Sequence, residues 1–306
     1  MVKVSLQKTL WVAAPSAKKY DSGSGFRNSP TDFVAVSVTG DRCALNCAHC
    51  GRRLIKNMLD VSEPGALASL VPKLVAQKSL GVLVSGGADS RGRVPLKAKL
   101  SEIAALKEAG LKVVVHTGLV NKQTATELKR VGVDQVLLDL IGDAETVSKV
   151  YGLPYKAQDY LQALDCLCAE GLTVVPHVVA GLNFGRIGAG EERAIQWVSG
   201  YPVPGLVLVI LTPLPGSRMS GLAPPEPEEV KRLLDAARCQ LEGRSLLLGC
   251  ARPAGDRKTY YEKLAVDAGV DGIAYASPQT IEYAREMGYT VQYFRGCCSL
   301  VAGKIR

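Results

Sequence analysis

The stretch Phe33-Val-Ala-Val-Ser-Val-Thr-Gly40-Asp-Arg-Cys43-Ala-Leu-Asn-Cys47-Ala-His-Cys50 joins an apolar, β-branched run to three cysteines spaced C-x3-C-x2-C. The run reads as a buried strand, and the cysteines fall on the loop leaving its C-terminal end. Three thiolates on one short loop can hold three irons of a [4Fe–4S] cube and leave the fourth iron open. The alternative is zinc, but a structural zinc site takes four ligands, often as two C-x2-C pairs. His49, the nearest fourth candidate, lies between Cys47 and Cys50 in the chain. That is a poor position from which to share one metal with both neighbours.

Outward from this stretch the same alternation repeats. Strand candidates lie at 33–39, 81–85, 112–116, 134–139, 172–178, 206–211, 245–249 and 270–274. Helical patterns occupy 62–78, 98–109, 122–131, 157–170, 189–199, 226–241, 258–268 and 278–287, several closed by a C-terminal glycine such as Gly110, Gly171 or Gly269. Strand–helix units in series predict an α/β fold, a (β/α)8 TIM-type barrel. No linker divides the chain, so 1–306 reads as one domain. Its core is 31–290, with an irregular N-terminal extension at 1–30 and a C-terminal tail at 291–306 that bears Cys297 and Cys298.

Composition narrows the class further. Of 306 residues, 47% are hydrophobic, enough for one large core. No apolar run reaches the roughly 18 residues of a membrane span, and the first residues lack the apolar region of a leader. A cytoplasmic location is the expectation, and nine cysteines there argue against a disulfide framework. The net charge of +8 comes without a Lys/Arg block and with only 6% aromatics, so nucleic acid is not the expected partner. A diffuse positive field suits an anionic substrate or an acidic protein.

A barrel carries its chemistry at the C-terminal ends of its strands. The residues expected there are the Cys43 loop, Ser85-Gly86-Gly87, His116-Thr117, Asp139, His177, Thr212-Pro213 and Gly249-Cys250. All three histidines of the chain (His49, His116 and His177) fall in this set or on its cysteine loop. A second group of thiols is also expected near the mouth. Cys250 follows the seventh strand, and a tail folding back over the barrel would bring Cys297 and Cys298 beside it. Three such thiols could hold an auxiliary iron–sulfur cluster, with Arg252 or Ser299 as a non-cysteine ligand; inert buried thiols are the alternative. Cys166, Cys168 and Cys239 lie in helical patterns and read as core packing.

The cysteine triad after the first strand, followed by Gly86-Gly87 after the second, resembles the radical S-adenosylmethionine (radical SAM) superfamily. The resemblance spans residues 30–275. It implies that Cys43, Cys47 and Cys50 ligate a [4Fe–4S] cluster whose open iron chelates S-adenosylmethionine, and that reductive cleavage yields a 5′-deoxyadenosyl radical. It further implies cofactor contacts from His49, Ser85, Gly86, Gly87, His116, Thr117, Asp139, His177 and the Val179–Leu182 turn containing Gly181. Where the superfamily has G-G-E, this chain reads Gly86-Gly87-Ala88-Asp89.

The runs Ala14–Tyr20, Ser37–Cys47 and Gly249–Pro253, with Cys297-Cys298, resemble a biotin-synthase-like subgroup. That subgroup includes one component of a two-protein, archaeal-type lipoyl synthase. The implied activity is hydrogen abstraction from an octanoyl chain and sulfur insertion from the auxiliary cluster. The implied partners are an acyl-carrier (lipoyl) domain bearing octanoyl-lysine, a second radical SAM component, and a ferredoxin or flavodoxin as electron donor. Alternatives are a maturase for a hydrogenase iron cofactor, another small-molecule radical enzyme, or a non-catalytic iron–sulfur electron carrier.

Overall fold

Val113, Val114 and Val115 show how the sheet is built. Val113 and Val115 pack into the cluster shared with the helices, while Val114 packs into a second cluster on the opposite face. Successive side chains of a strand point to opposite faces, and a strand buried on both sides reads as a continuous apolar run. The computed structural model describes residues 8–304. Its strands are β1 (Thr9–Ala13), β2 (Phe33–Ser37), β3 (Leu59–Asp60), β4 (Gly81–Ser85), β5 (Lys112–His116), β6 (Gln135–Asp139), β7 (Val174–Ala180), β8 (Gly205–Ile210), β9 (Ser245–Leu248), β10 (Gly272–Ala274) and β11 (Thr290–Phe294). They form one sheet in the order β11-β1-β10-β9-β8-β7-β6-β5-β4-β2-β3. Every pairing is parallel.

The eight expected strands are all present, each within two residues of its expected bounds. The sheet curls into a TIM-type barrel with helices outside. Among the described residues, the expected helix at 62–78 is two short ones, Ala66–Ser69 and Val71–Ala76. Pro72, in the first turn of the second, cannot continue the hydrogen-bond ladder of the first. Among the described residues no helix is long and apolar enough to cross a membrane.

Three corrections concern the two ends of the barrel. First, the extension is not wholly irregular: Thr9–Ala13 is β1, hydrogen-bonded between β10 and β11. Second, the barrel is not closed by a strand ladder. The sheet ends at β11 and β3, and Ser16 bridges the seam: its N–H donates to Phe33 O (3.0 Å) and its Oγ accepts from Phe33 N–H (2.8 Å). Third, the tail does not fold over the mouth. After β11 it turns into the barrel beside the N-terminal ends of β2 and β4, where Arg295 meets Asp32 at 3.9 Å. A Cβ on Gly296 would come within 2.6 Å of the Phe294 ring and 2.7 Å of Leu80, so only glycine passes there without displacing them. Residues Cys298–Gly303 then form a 3-10 turn inside the barrel. Gln135 Nε2 and Ser245 Oγ, at the N-terminal ends of β6 and β9, donate to Ser299 O and Ala302 O (3.2 and 3.3 Å). Cys297, Cys298, Val301 and Ala302 pack on the inward residues Phe33, Val114, Leu137, Val175, Val207 and Leu247. The segment is therefore the floor of the barrel. Residues 1–7 of the extension and 305–306 of the tail lie outside the described residues.

Candidate active site

Counting two residues along each strand from the inward layer gives the next layer up. Val114 leads to His116, Leu137 to Asp139, Val175 to His177 and Val207 to Val209, and all four of these line one cavity of about 460 Å³. The cysteines of both groups line it too: Cys43, Cys47 and Cys50 from the first loop, Cys250 after β9, and Cys297 and Cys298 from the floor.

The first loop is held by the turn after β4. Thr39 Oγ1 accepts from Gly87 N–H (2.7 Å), Ala88 N–H donates to Cys43 Sγ (3.3 Å), and Ala44 N–H donates to Ala88 O (2.8 Å). A Cβ on Gly87 would sit 2.0 Å from Arg42 O and 2.7 Å from Cys43 Cα, both backbone. Gly87 thus lets the two loops interlock, a role distinct from contact with a cofactor. Asp89 organises its own turn, accepting from the N–H groups of Arg91 and Arg93 (2.8 and 2.9 Å).

Cys47, His49 and Cys50 present ligand atoms within 4.8 Å of one another. The Cys47 thiol hydrogen-bonds to Cys50, which with help from His49 overcomes burial and draws Cys50 down to about 4; the same bond, with burial, pushes Cys47 up. His49 stacks obliquely on Tyr151, 5.4 Å between ring centres. Its Nδ1 is buried with no partner among the described residues. A buried polar atom left unpaired is costly, so the loop is built around a group that is not protein. Three thiols, one already favouring thiolate, fit an iron–sulfur cluster.

In the middle of the cavity His116 Nε2 lies 3.3 Å from Asp139 Oδ1. Burial opposes ionisation of Asp139, but the His116 charge and hydrogen bond outweigh it and hold the carboxyl at about 2. The same contact outweighs burial at His116 and raises it. His177 stands edge-on to His116 at 6.0 Å, its Nδ1 3.1 Å from Val175 O. Burial keeps it neutral, down to about 4, against the pull of Asp139. Ser85 Oγ donates to His116 O (3.1 Å), tying β4 to β5 at the cavity wall.

Cys250, Cys297 and Cys298 line one cavity, the last two from below. Cys298 hydrogen-bonds to both Cys250 and Cys297 and is pushed up by those bonds and by burial. Cys297 moves the other way, to about 7, through bonds from Cys298 and Ser299 that outweigh burial. Arg252 is not free to ligate. It is an almost fully buried cation whose Nε donates to Glu262 (2.7 Å), whose Nη1 donates to Gly249 O (2.7 Å), and whose Nη2 bonds Glu262, Ala274 O and Tyr275 O. Glu262 in turn accepts from Ser277 N–H and Thr280 Oγ1 (both 2.8 Å). This buried pair pins the Gly249–Cys250 turn.

Among the other expected residues, His49, Ser85, Gly86 and Gly87 line the cavity, while Thr117 and Gly181 do not. Thr117 is buried outside it, its Oγ1 donating to Gly118 O. Gly181 makes a left-handed turn under Pro225, with its N–H on Glu191. Cys166 and Cys168 pack on the core, burial pushing Cys168 up to about 11, but Cys239 is exposed. Sequence reading missed the apolar walls: Leu45, Leu119, Leu153, Tyr151 and Tyr160. They come from loops and helix ends, where no periodicity marks a cavity-facing side.

Comparison with known proteins agrees with this geometry. Residues 37–187 match the radical SAM superfamily. Biotin synthase of Prochlorococcus marinus is 23% identical over 246 residues, covering 78% of this chain and 73% of that protein. Fe-coproporphyrin III synthase of Methanosarcina barkeri is 31% identical over 140 residues, covering 44% of this chain and 33% of that protein. In fold the chain is similar to HydG, a maturase of the [FeFe]-hydrogenase, with a TM-score of 0.62 at 16% identity; the match covers 93% of this chain and 64% of HydG. It is also similar to methylornithine synthase PylB, with a TM-score of 0.59 at 13% identity, covering 90% and 85% of the two chains. Three cysteines on the loop after the first expected strand, a Gly-Gly turn interlocked with them and a parallel barrel around one cavity lie within or around residues 37–187, which match the radical SAM superfamily.

Proposed function

We propose that this radical SAM enzyme inserts sulfur into an unactivated carbon chain, and that the chain is an octanoyl group carried on a protein, as in one component of a two-protein lipoyl synthase. The observation that carries the reading is the convergence of two thiol groups, Cys43/Cys47/Cys50 and Cys250/Cys297/Cys298, on one cavity. When bound, a cluster with S-adenosylmethionine on the first group supplies a hydrogen-abstracting radical, and a cluster on the second supplies sulfur. The chain's own residues do the rest. Leu45, Leu119, Leu153 and Val209 offer an apolar wall to an aliphatic chain and exclude water. The Arg252–Glu262 pair holds Cys250 toward the cavity. The net charge of +8 suits an acidic carrier domain and an acidic reductant such as ferredoxin or flavodoxin.

The test is anaerobic reconstitution followed by turnover. Two [4Fe–4S] clusters bind about eight irons per chain and one binds about four. With octanoylated carrier, a second component and reductant, the expected product is thiolated or lipoylated carrier. A product without sulfur overturns sulfur insertion, and failure to bind S-adenosylmethionine overturns the radical reading itself.

A further inference from the structure

The exposure of its lining shows where the cavity opens. Among the residues that line it, Arg52, Leu54 and Ala251 are exposed and the rest are buried or half-buried. Arg52 and Leu54 follow the first cysteine loop and Ala251 follows Cys250, so the opening runs between the two thiol groups. Cations stand on both of its lips. On the first, Arg52, Arg53 and Lys56 are exposed. Arg53 packs on Gly216, where a Cβ would come within 2.0 Å of its Nη2. Met219 N–H donates to Ala48 O (3.3 Å) and brings the exposed Arg218 to the same lip. On the second, the exposed Lys18 has its Nζ 3.5 Å from Cys250 O. Asn28 fixes the Lys18 loop, its Nδ2 donating to Pro15 O and Lys18 O (both 2.8 Å) and its Oδ1 accepting from Tyr20 N–H (2.9 Å). Among the described residues, none of Lys18, Arg52, Arg53, Lys56 and Arg218 is ion-paired. Other cations of the mouth are: Arg93 pairs with Asp89 (3.8 Å), and Lys149 and Arg186 pair with Glu145 (2.8 and 3.7 Å). Unneutralised positive charge thus flanks the opening, with Leu54, 53% exposed, among it.

Such lips fit an acidic protein surface, because complementary charge steers an encounter and fixes its register. Two acidic partners compete for them, a reductant and the carrier of the substrate. A reductant needs only a short distance to the first cysteine loop, and seated on the lips it would stopper the opening. It has another approach. Cys43 lines the cavity and also an outer groove of about 700 Å³, beside Asp41, Arg42 and Asp89. That groove carries both signs of charge and lies off the opening. An acyl chain has no such alternative: to enter the cavity it passes between the lips, and its carrier stays outside on them.

We propose that Lys18, Arg52, Arg53, Lys56 and Arg218 form the docking surface for an acidic carrier domain, which lays its anionic face across the opening and passes its acyl chain inward beside Leu54. This rests on the reading of a carrier-bound substrate above, and adds to it the place where the carrier sits.

The experiment measures binding by calorimetry, using the full chain reconstituted anaerobically, an acidic lipoyl domain in unmodified and octanoylated forms, and ferredoxin. Lys18→Glu/Lys56→Glu reverses one charge on each lip. Lys73→Glu/Lys122→Glu makes the same change of net charge at exposed positions on outer helices. The lip pair should weaken both forms of the carrier by about tenfold or more, since like charges then meet. The outer pair should leave carrier binding within about twofold, because salt screens charges that distant. Ferredoxin should bind both variants as it binds the unaltered chain. Iron content equal to that of the unaltered chain shows each variant folded. Carbodiimide coupling of the carrier to the unaltered chain, which needs no variant, should join its carboxylates to Lys18 and Lys56, read by mass spectrometry. Equal weakening by the two pairs reflects overall charge and overturns a local surface. Loss of ferredoxin binding in the lip pair, alone or with the carrier's, overturns the assignment to the carrier. Cross-links at other lysines, or no carrier binding by the unaltered chain, overturn the surface as well. Docking and sulfur insertion fail separately. A carrier that docks as stated and gains no sulfur leaves the surface standing and overturns the reaction; sulfur gained equally well by Lys18→Glu/Lys56→Glu overturns the surface and leaves the reaction.

Discussion

The loop of Cys43–Cys50 and the group of Cys250, Cys297 and Cys298 offer the same donor atoms by opposite means. The first is local. Three thiols lie within eight residues, and a turn of β4 locks their loop in place through Gly87 and Thr39. The second is topological. One thiol comes from the end of β9 and two from a segment threaded into the barrel past Gly296, and a buried ion pair is needed to hold the first of them. Local spacing is legible as chemistry in a sequence; a site assembled across the fold is legible only as scattered residues.

The largest effect that would break this comparison is loss of function confined to one site. Cys50→Ala is expected to abolish 5′-deoxyadenosine formation altogether. Cys298→Ala is expected to keep it and lose sulfur transfer, both read by mass spectrometry of products. If both variants lost deoxyadenosine, the sites would not be separable.

Gly87→Ala comes next. Its Cβ meets backbone, which cannot yield as a side chain does, so the first loop should detach and iron should fall by about four per chain. Gly296→Ala meets only the Phe294 ring and the Leu80 methyl and should cost less, about 1–3 kcal/mol, measured by urea unfolding of the metal-free protein.

Arg252→Ala takes from the buried Glu262 its closer cation and leaves Lys258 at 3.3 Å, at a cost of up to about 3–5 kcal/mol. The apolar double variant Arg252→Met/Glu262→Leu should recover much of that stability, yet not the iron that depends on Cys250. Recovery of both would show that the pair only stabilises.

A further expected effect is a pH slope. The unfolded His177 takes a proton at its ordinary 6.5, whereas the folded one waits until about 4. Acid therefore favours the unfolded chain across that window. Stability of the metal-free protein should decline as pH falls from 6.5 to about 4, and His177→Gln should flatten the decline.

Most of the barrel was legible. Runs such as Val113-Val114-Val115, bounded by helical periodicity and capping glycines, place β5 without ambiguity. What escaped were β1, β11 and the two-residue β3. Thr9–Ala13 sits among lysines, serines and glycines, and its role as a strand comes only from its ladders with β10 and β11. The fate of the tail escaped as well, although one signal was present. Barrel interiors are usually filled by branched side chains, whereas the inward cluster here includes Ala13 and Ala274. Small inward residues leave room for another piece of chain. The pairing of Arg252 with Glu262 had no signal, because nothing in the helix at Asp256–Asp267 marks its glutamate as buried.

The threaded floor has a consequence for how the molecule comes into being. Seven residues separate Cys43 from Cys50, so that loop closes early and at little entropic cost. Cys250 and Cys297 stand 47 residues apart and meet only once the sheet has curled and the seam has admitted Gly296. Contacts of that separation form late in folding. Until they do, Cys297 and Cys298 are ordinary accessible thiols, open to any oxidant. The second thiol group is thus assembled only when folding is complete, and the burial of Cys297 and Cys298 in the folded chain contrasts with Cys43 and Cys50, which stay partly exposed.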